Sequence, residues 1–174
     1  NNLPFIITRD PGGTKLAESL RSLILKVKNN INIEEEILML MAARSHHINN
    51  VIQPALDKGK IVISDRFADS TFVYQGYVNK FGLKESINLH KKILNNFLPY
   101  RTFLFLLPSK EIIQRLKKRK KFNKYDKIDI HFHKKVISGY KKISKNNKRF
   151  ININANLSEN FIHRKIIKTI DKLI

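Results

Sequence analysis

The stretch between Ile61 and Gly76 combines side chains that could hold a phosphorylated ligand. A short β-branched run leads directly into Asp65 and Arg66. Such a run predicts a strand, and open α/β sheets bind their ligands at the carboxyl ends of strands. A guanidinium at that place can hold a phosphate with two parallel hydrogen bonds, while the neighbouring carboxylate can bind a hydrated metal ion or orient the arginine.

Neutral polar side chains follow in the same stretch. Ser70, Thr71, Tyr74 and Gln75 supply hydrogen-bond donors and acceptors of the kind that read a nucleobase. A second interpretation is a plain turn between a strand and a helix, with Ser70 or Asp69 as the helix cap. These residues alone leave both interpretations open.

The composition fits one domain of ordinary size. A chain of 174 residues with 42% hydrophobic content can bury a real core. No apolar run approaches the length of about 18 residues that a membrane span needs, so we expect no membrane partner. The sequence has no cysteine, which excludes disulfides and thiolate metal sites and is compatible with the cytoplasmic location that we expect.

The net charge of +20 raises an alternative function, a non-catalytic basic module that binds nucleic acid. Most of the basic residues are lysines scattered along the chain, which is typical of solvated surfaces. Only the run 115–121 is a dense basic cluster. We therefore expect no specific nucleic-acid partner.

Hydrophobic periodicity predicts strands that alternate with helices. The predicted strands are 3–8, 60–64, 102–107 and 150–153, and the predicted helices are 14–27, 34–59, 70–78, 84–97, a helix from Ser109, 130–145 and 158–173. This alternation predicts one α/β domain over residues 1–174, with a mostly parallel sheet covered by helices on both faces.

Four motifs, in this order, resemble the thymidylate kinase family. They are Thr-Arg-Asp-Pro-Gly-Gly-Thr at 8–14, Ala-Ala-Arg at 42–44, Asp-Arg-Phe with the polar residues that follow at 65–76, and Asn-Lys-Tyr-Asp at 123–126. The resemblance implies a P-loop kinase-like, three-layer α/β/α fold with a helical lid. It implies transfer of the γ-phosphoryl group of ATP to dTMP with Mg²⁺, and a homodimer formed through the long helix.

The resemblance also implies which residues surround the acceptor phosphate. Arg66 would clamp the dTMP phosphate, and Asp65 would accept a hydrogen bond from that clamp or from a magnesium-bound water. Arg9, Asp10 and Arg21 lie where the family places groups around the nucleoside monophosphate.

Other positions match the family's thymidine contacts. Arg44 would contact the edge of thymine, and Gln75 would pair with the base. Ser70 and Thr71 would lie beside the 5-methyl group, while Tyr74 would pack near the sugar and disfavour a ribose 2′-hydroxyl.

The basic cluster matches the family's lid, which we place at about 115–130. Arg115 and Arg119 would close over ATP and neutralise the charge that develops on the transferred phosphoryl group. Lys117 and Lys124 stand where related chains often have arginine, and Lys124 is the lysine that we assign to ATP.

Three positions depart from the family pattern. Leu40 stands where a phenylalanine usually stacks on thymine, Asp10 replaces a glutamate, and Phe67 replaces a tyrosine. A leucine can cover a base by dispersion but lacks the aromatic stacking contribution. These departures motivate a second alternative, a related kinase for another nucleoside monophosphate.

The phosphate-binding motif Gly-x-x-x-x-Gly-Lys-[Ser/Thr] does not occur in the 174 residues. In the family it lies directly upstream of the position where this chain begins. We therefore expect that the sequence is part of a longer protein, that it is inactive by itself, and that the complete polypeptide is active. We also expect the strand at 61–64 to lack a pairing neighbour.

Two pairs of histidines complete the candidates. His46 and His47 lie on the predicted long helix, and His131 and His133 lie near the lid. Neither pair has a carboxylate and a third ligand at a convincing spacing. We expect ordinary surface or packing histidines and no metal site at either pair.

Overall fold

The computed structural model describes residues 3–26, 30–117 and 130–173. The strands in these ranges are β1 (Phe5–Arg9), β2 (Ile61–Asp65), β3 (Thr102–Leu106) and β4 (Phe150–Asn154). The α-helices are α1 (Lys15–Leu25), α2 (Ile33–His47), α3 (Gln53–Asp57), α4 (Ala68–Thr71), α5 (Leu83–Leu94), α6 (Ser109–Lys117), α7 (Ile130–Ser144) and α8 (Glu159–Ile170), and two π-helical segments cover Ile48–Ile52 and Phe72–Val78. None of the helices in these ranges is long and apolar enough to cross a membrane.

The strands form two parallel pairs. β1 pairs with β2, and β3 pairs with β4. The parallel pairing agrees with the sequence prediction, but the single sheet that we expected is present as two pairs, because in the described ranges no strand pairing joins β2 to β3. In the described ranges β2 pairs with β1, and the expectation that the segment 61–64 lacks a further neighbour stays a prediction.

The register of β1 and β2 brings polar residues of two motifs to the same end of this strand pair. Arg9 lies opposite Asp65 at the carboxyl ends of β1 and β2. The N–H of Asp10 then donates to the carbonyl of Asp65 at 3.1 Å. The loop after β1 and the turn after β2 therefore start side by side, as the parallel arrangement requires.

The predicted long helix is one helical run made of α2, a π-helical segment and α3. It begins with a capping box in which the Asn32 side chain accepts from the Glu35 N–H, while the Glu35 side chain accepts from the Asn32 N–H. Pro54 lies at the start of α3. Since proline has no N–H, the α-helical bond from residue 54 to the carbonyl of Asn50 cannot form, and the run widens into π geometry just before it.

The main core packs this helical run against the segment after β2. Its buried members are Ile37, Met41, Ile48, Ile52, Phe67, Ala68, Phe72 and Leu94. A second cluster packs the π-helical segment Phe72–Val78 against α7 through Val73, Val78, Phe132 and Val136. Both clusters hold residues 67–78 between helices, so the polar residues of that segment occupy fixed positions.

A partly buried ion pair attaches α4 to the second strand pair. Asp69 accepts from Arg149 at 2.6 Å and from the Thr102 hydroxyl at 3.2 Å. The interpretation of Asp69 or Ser70 as a helix cap is therefore wrong. The cap position is Phe67, which makes no side-chain cap bond, and Ser70 bonds with the Tyr140 hydroxyl.

Candidate functional site

Arg44 and Asp10 form a buried ion pair at the centre of the candidate site. Nη2 of Arg44 lies 2.7 Å from Oδ1 of Asp10, and Nε lies 3.1 Å from the same oxygen. Each side chain is only 1% exposed. Arg44 Nη2 also donates to the Thr71 hydroxyl at 2.8 Å. One guanidinium thus connects the loop after β1, helix α2 and helix α4.

The electrostatics of this contact favour the charged pair. Burial alone would raise the pKa of Asp10, but the Arg44 guanidinium and a contact with His47 outweigh it and hold that pKa below its ordinary value. The Phe67 ring lies 5.4 Å from the guanidinium carbon of Arg44, which adds a cation–π contact. Removal of either partner would leave an uncompensated buried charge.

Arg66 occupies an unusual backbone position at the end of β2. Its φ angle is 67°, in the left-handed region that costs a non-glycine residue about 1 kcal/mol or more. The Ser64 hydroxyl donates to its carbonyl at 2.7 Å, and its guanidinium carbon lies 5.6 Å from the centre of the Tyr74 ring. Asp65 is exposed beside it. The turn therefore presents Arg66 at the edge of the strand pair while Tyr74 supports the side chain.

Ser70 and Tyr74 contact helix α7. The Ser70 and Tyr140 hydroxyls lie 3.0 Å apart, and the Tyr74 and Tyr140 rings meet edge to face. Burial raises the pKa of Tyr140 to about 12, so this hydroxyl keeps its proton at neutral pH. These contacts place α7 beside the residues predicted to surround the base and sugar.

Gln75 is bound to a residue that we did not predict. Its Nε2 donates to Oε1 of Glu36 at 2.5 Å, and both side chains are buried. Glu36, Leu40 and Arg44 are spaced four residues apart on α2, so they share one face of the helix. Since Leu40 and Arg44 were already candidates, this spacing was the signal that could have identified Glu36.

The loop after β1 is held by α1. Arg9 forms an exposed ion pair with Glu18 at 2.7 Å, and Glu18 also accepts from the Gly13 N–H at 3.2 Å. Arg21 donates to the carbonyl of Pro11 at 3.0 Å. Arg9 at the end of β1 and Arg21 on α1, both predicted to lie near the acceptor phosphate, therefore flank the same short loop.

The histidine pair on α2 holds that loop from the other side. His47 Nε2 lies 2.7 Å from the Thr8 hydroxyl, and His46 Nδ1 lies 3.0 Å from the Thr14 hydroxyl. His47 is fully buried, so it is a packing histidine rather than a surface one. In the described ranges no group of three or more histidines and carboxylates could hold a metal ion.

An open depression of about 480 Å³ lies beside the loop. It is lined by Ile7, Thr8, Arg9, Gly13, Glu18, Val51 and Asp65. The structure thus brings Arg9 and Asp65 to one opening. Arg44, Arg66 and Gln75 do not line this depression.

The predicted lid is described only in part. Arg115 Nη2 donates to the carbonyl of Ala155, just after β4, at 3.2 Å. Arg119 and Lys124 lie outside the described residues, as does most of the segment 115–130, and the Lys117 side chain is likewise outside them.

Comparisons with known proteins agree with the motifs. The thymidylate kinase family model matches residues 1–166. The thymidylate kinase of Mycoplasma mobile is 37% identical, with 98% of this chain and 84% of the relative covered. The thymidylate kinase of Mycoplasma capricolum is 39% identical over 97% of this chain and 81% of the relative, and that of Bacillus velezensis is 32% identical over 99% and 83%.

The chain belongs to the thymidylate kinase family. The expected family, its P-loop kinase fold and the assignment as a phosphotransferase are confirmed. In this thymidylate kinase family member, Asp10, Arg44 and Thr71 meet directly. Leu40 is buried on the same helix face as Arg44. Arg66 and Tyr74 form a separate contact, and Gln75 is joined to Glu36.

The ion pair predicts a pH-dependent stability. Because the folded pKa of Asp10 is lowered from 3.8, its contribution is fully present above that pH and is lost as the pH falls through the folded pKa. Asp10→Asn should lower the free energy of unfolding at pH 7 by about 3 kcal/mol, and the difference from wild type should shrink below about pH 4. Urea unfolding of the intact protein between pH 3 and pH 7 measures this. Asp171→Asn, at an exposed position, is the control, and a difference that does not change with pH would contradict the account.

The close approach of Gly13 to the histidine contact gives a second prediction. Its φ is +79°, and an added Cβ would overlap His47 Nε2 and the Thr8 hydroxyl. Gly59 has a similar φ of +68° but nothing within 4 Å of such a Cβ. Gly59→Ala should therefore lower the free energy of unfolding by about 1 kcal/mol. Gly13→Ala should lower it by at least about 1 kcal/mol more and should also weaken the binding of dTMP. Urea unfolding and calorimetric titration compare them; equal losses would disprove the close contact.

Proposed function

We propose that this protein transfers the γ-phosphoryl group of ATP to dTMP, with dTDP and ADP as products. The observation that carries this proposal is the contact of Arg44 with Asp10 and Thr71. It joins three of the motifs that carry the family's acceptor-site residues.

The acceptor phosphate would bind at the edge where β1 and β2 end. Arg66 can hold it with two parallel hydrogen bonds, and Arg9 and Arg21 can contribute charge from the neighbouring loop. A phosphate oxygen of dTMP then attacks the γ-phosphorus of ATP, the bond to the β–γ bridging oxygen breaks, and ADP leaves with that electron pair. Positioning and charge stabilisation are sufficient for direct transfer, so no covalent enzyme intermediate is required.

Asp65 is the residue that we assign to Mg²⁺. Its carboxylate is exposed at the end of β2, and the described residues contain no cluster of several acidic or histidine ligands. This donor set fits Mg²⁺, which commonly keeps several waters and takes its remaining ligands from one or two carboxylates and substrate phosphates. When bound, the ion would neutralise phosphate charge. Asp65 would hold one of its waters or orient Arg66.

The thymidine part of the substrate would lie along the Arg44 face of α2. Arg44 would contact the base edge and Gln75 would pair with it. Leu40 would cover the base, while Ser70 and Thr71 would lie beside the 5-methyl group. These placements around the base are supported by the contacts that run from Asp10 through Arg44 to Thr71.

Tyr74 would pack beside the sugar. Its support is the position of its ring between Arg66 and the α7 aromatic residues Phe132 and Tyr140. A ring in this place would leave little space for a ribose 2′-hydroxyl.

Arg115, Arg119 and Lys124 would act on ATP. Of these, Arg115 has a described side chain, and closure over ATP would exchange its contact with the Ala155 carbonyl for the nucleotide phosphates. An arginine that neutralises the transferred group can raise the rate by about 10³-fold or more.

We further propose a cytoplasmic homodimer that associates through α2. Leu38 on that helix is 55% exposed, and Leu16 and Leu23 on the adjacent α1 are 48% and 43% exposed. Burial of such side chains favours association. Light scattering of the intact protein should give twice the mass of one chain, and a monomer at micromolar concentration would contradict the proposal.

The test of the function is Arg66→Ala in the intact protein. Loss of the bidentate contact should lower kcat/KM for dTMP by about 10³-fold, since the phosphate would lose both binding and alignment. Coupled detection of ADP measures the rate. Arg164→Ala is the matched control, because Arg164 lies on α8 and bonds only weakly to the Asn160 carbonyl.

Two outcomes would contradict the proposal. Robust turnover by Arg66→Ala would show that Arg66 does not hold the acceptor phosphate. The same assay with dTMP, dUMP, dCMP and dGMP addresses the alternative acceptor suggested by Leu40, and a clear preference for dGMP would refute a thymidine site.

A further inference from the structure

The bond between Glu36 and Gln75 connects two elements that are far apart in the sequence. Glu36 lies in the first turn of α2 and Gln75 in the π-helical segment Phe72–Val78. Gln75 Nε2 donates to Glu36 Oε1 at 2.5 Å, and the two side chains are 4% and 2% exposed. A short bond between a carboxylate and an amide, shielded from water, is among the stronger contacts in a protein.

The chemistry of the two groups determines which way the amide points. A glutamine side chain has one branch that donates and one that accepts, and the two are nearly equal in shape. A carboxylate accepts hydrogen bonds, so an amide beside it turns its nitrogen toward it. Glu36 thereby holds the amide nitrogen of Gln75 on the α2 side, so that the amide oxygen is on the opposite side.

We propose that Glu36 is a positioning residue that makes the Gln75 site selective for 4-oxo pyrimidines over 4-amino pyrimidines. This inference rests on the proposed function, in which Gln75 pairs with the base. Thymine and uracil carry a donor at N3 and an acceptor at O4. Cytosine carries an acceptor at N3 and a donor at N4. An amide whose oxygen is held in one orientation accepts a hydrogen bond from N3–H of thymine or uracil. In cytosine the same oxygen faces N3, which is itself an acceptor.

Arg44 strengthens the same preference from the same helix face. It lies two turns after Glu36, and its guanidinium can only donate hydrogen bonds. Its burial with Asp10 and Thr71 fixes its position. A donor-only group suits the O4 oxygen of thymine and opposes the N4 amino group of cytosine. Glu36 and Arg44 thus set one hydrogen-bonding pattern from the same face of α2.

The experiment compares acceptors in Glu36→Gln. A glutamine at 36 can accept or donate, so it no longer dictates the orientation of Gln75. The ratio of kcat/KM for dTMP to that for dCMP should fall by about tenfold or more, the range that one bidentate base contact supplies. The ratio of dTMP to dUMP should stay unchanged, because those bases share the same N3 and O4 edge. Glu34→Gln, the same change at an exposed position of the same helix turn, should leave both ratios at the wild-type value.

A double-mutant cycle separates positioning from simple stabilisation. In a Gln75→Leu background, Glu36→Gln should produce no further change in the dTMP to dCMP ratio, because the group through which Glu36 acts is gone. If Glu36→Gln does not fold, Glu36→Asp replaces it. The shorter carboxylate should lower the ratio in the same direction by a smaller factor, and again have no effect with Leu at 75.

The outcomes distinguish this inference from the proposed function. If the intact wild-type protein phosphorylates dTMP but Glu36→Gln lowers kcat/KM for dTMP and dCMP by the same factor, Glu36 only stabilises the fold and the inference is overturned. An effect of Glu36→Gln on the ratio that persists in Gln75→Leu would also overturn it. If the wild-type protein does not phosphorylate dTMP at all, the proposed function itself fails.

Discussion

The buried ion pair of Asp10 and Arg44 is the constraint on which the rest of the site depends. Two charges that are each 1% exposed are stable only while they remain together, so the loop after β1 cannot leave α2 without a large cost. The Thr71 hydroxyl adds α4 to the same contact. One contact therefore joins three segments that are distant in the sequence at the candidate substrate site.

Other contacts hold the segments on either side of the Asp10–Arg44 pair. His46 and His47 hold the ends of the loop through Thr14 and Thr8. The Asp69–Arg149 pair holds α4 against the strand pair β3 and β4. Hydrophobic clusters on both sides of residues 67–78 keep that segment in place. The left-handed backbone of Arg66 is thus held by surroundings that are rigid enough to maintain a strained residue.

Local pattern was sufficient for the elements and for the family, because periodicity and motif spacing are properties of neighbouring residues. The strands and the long helix follow from such patterns. The family resemblance implied a thymine contact for Arg44, which stays a prediction, but it did not indicate the bond of Arg44 to Asp10 and Thr71. The hydrogen-bond and ion-pair partners of these residues do not follow from local patterns. Gln75 bonds to Glu36 across 39 positions and Arg149 to Asp69 across 80, and no local rule pairs them. Pro54 was visible in the sequence, but the π-helical segment before it depends on packing as well as on the missing N–H.

A crystal structure of the intact protein with dTMP is the most direct test of the central claim that the Asp10–Arg44–Thr71 contact organises a thymidylate site. We expect the phosphate within hydrogen-bond distance of Arg66, and the base against the α2 face that carries Leu40 and Arg44. Well-defined dTMP bound elsewhere, with Arg66 and Arg44 both out of contact with it, would contradict the account.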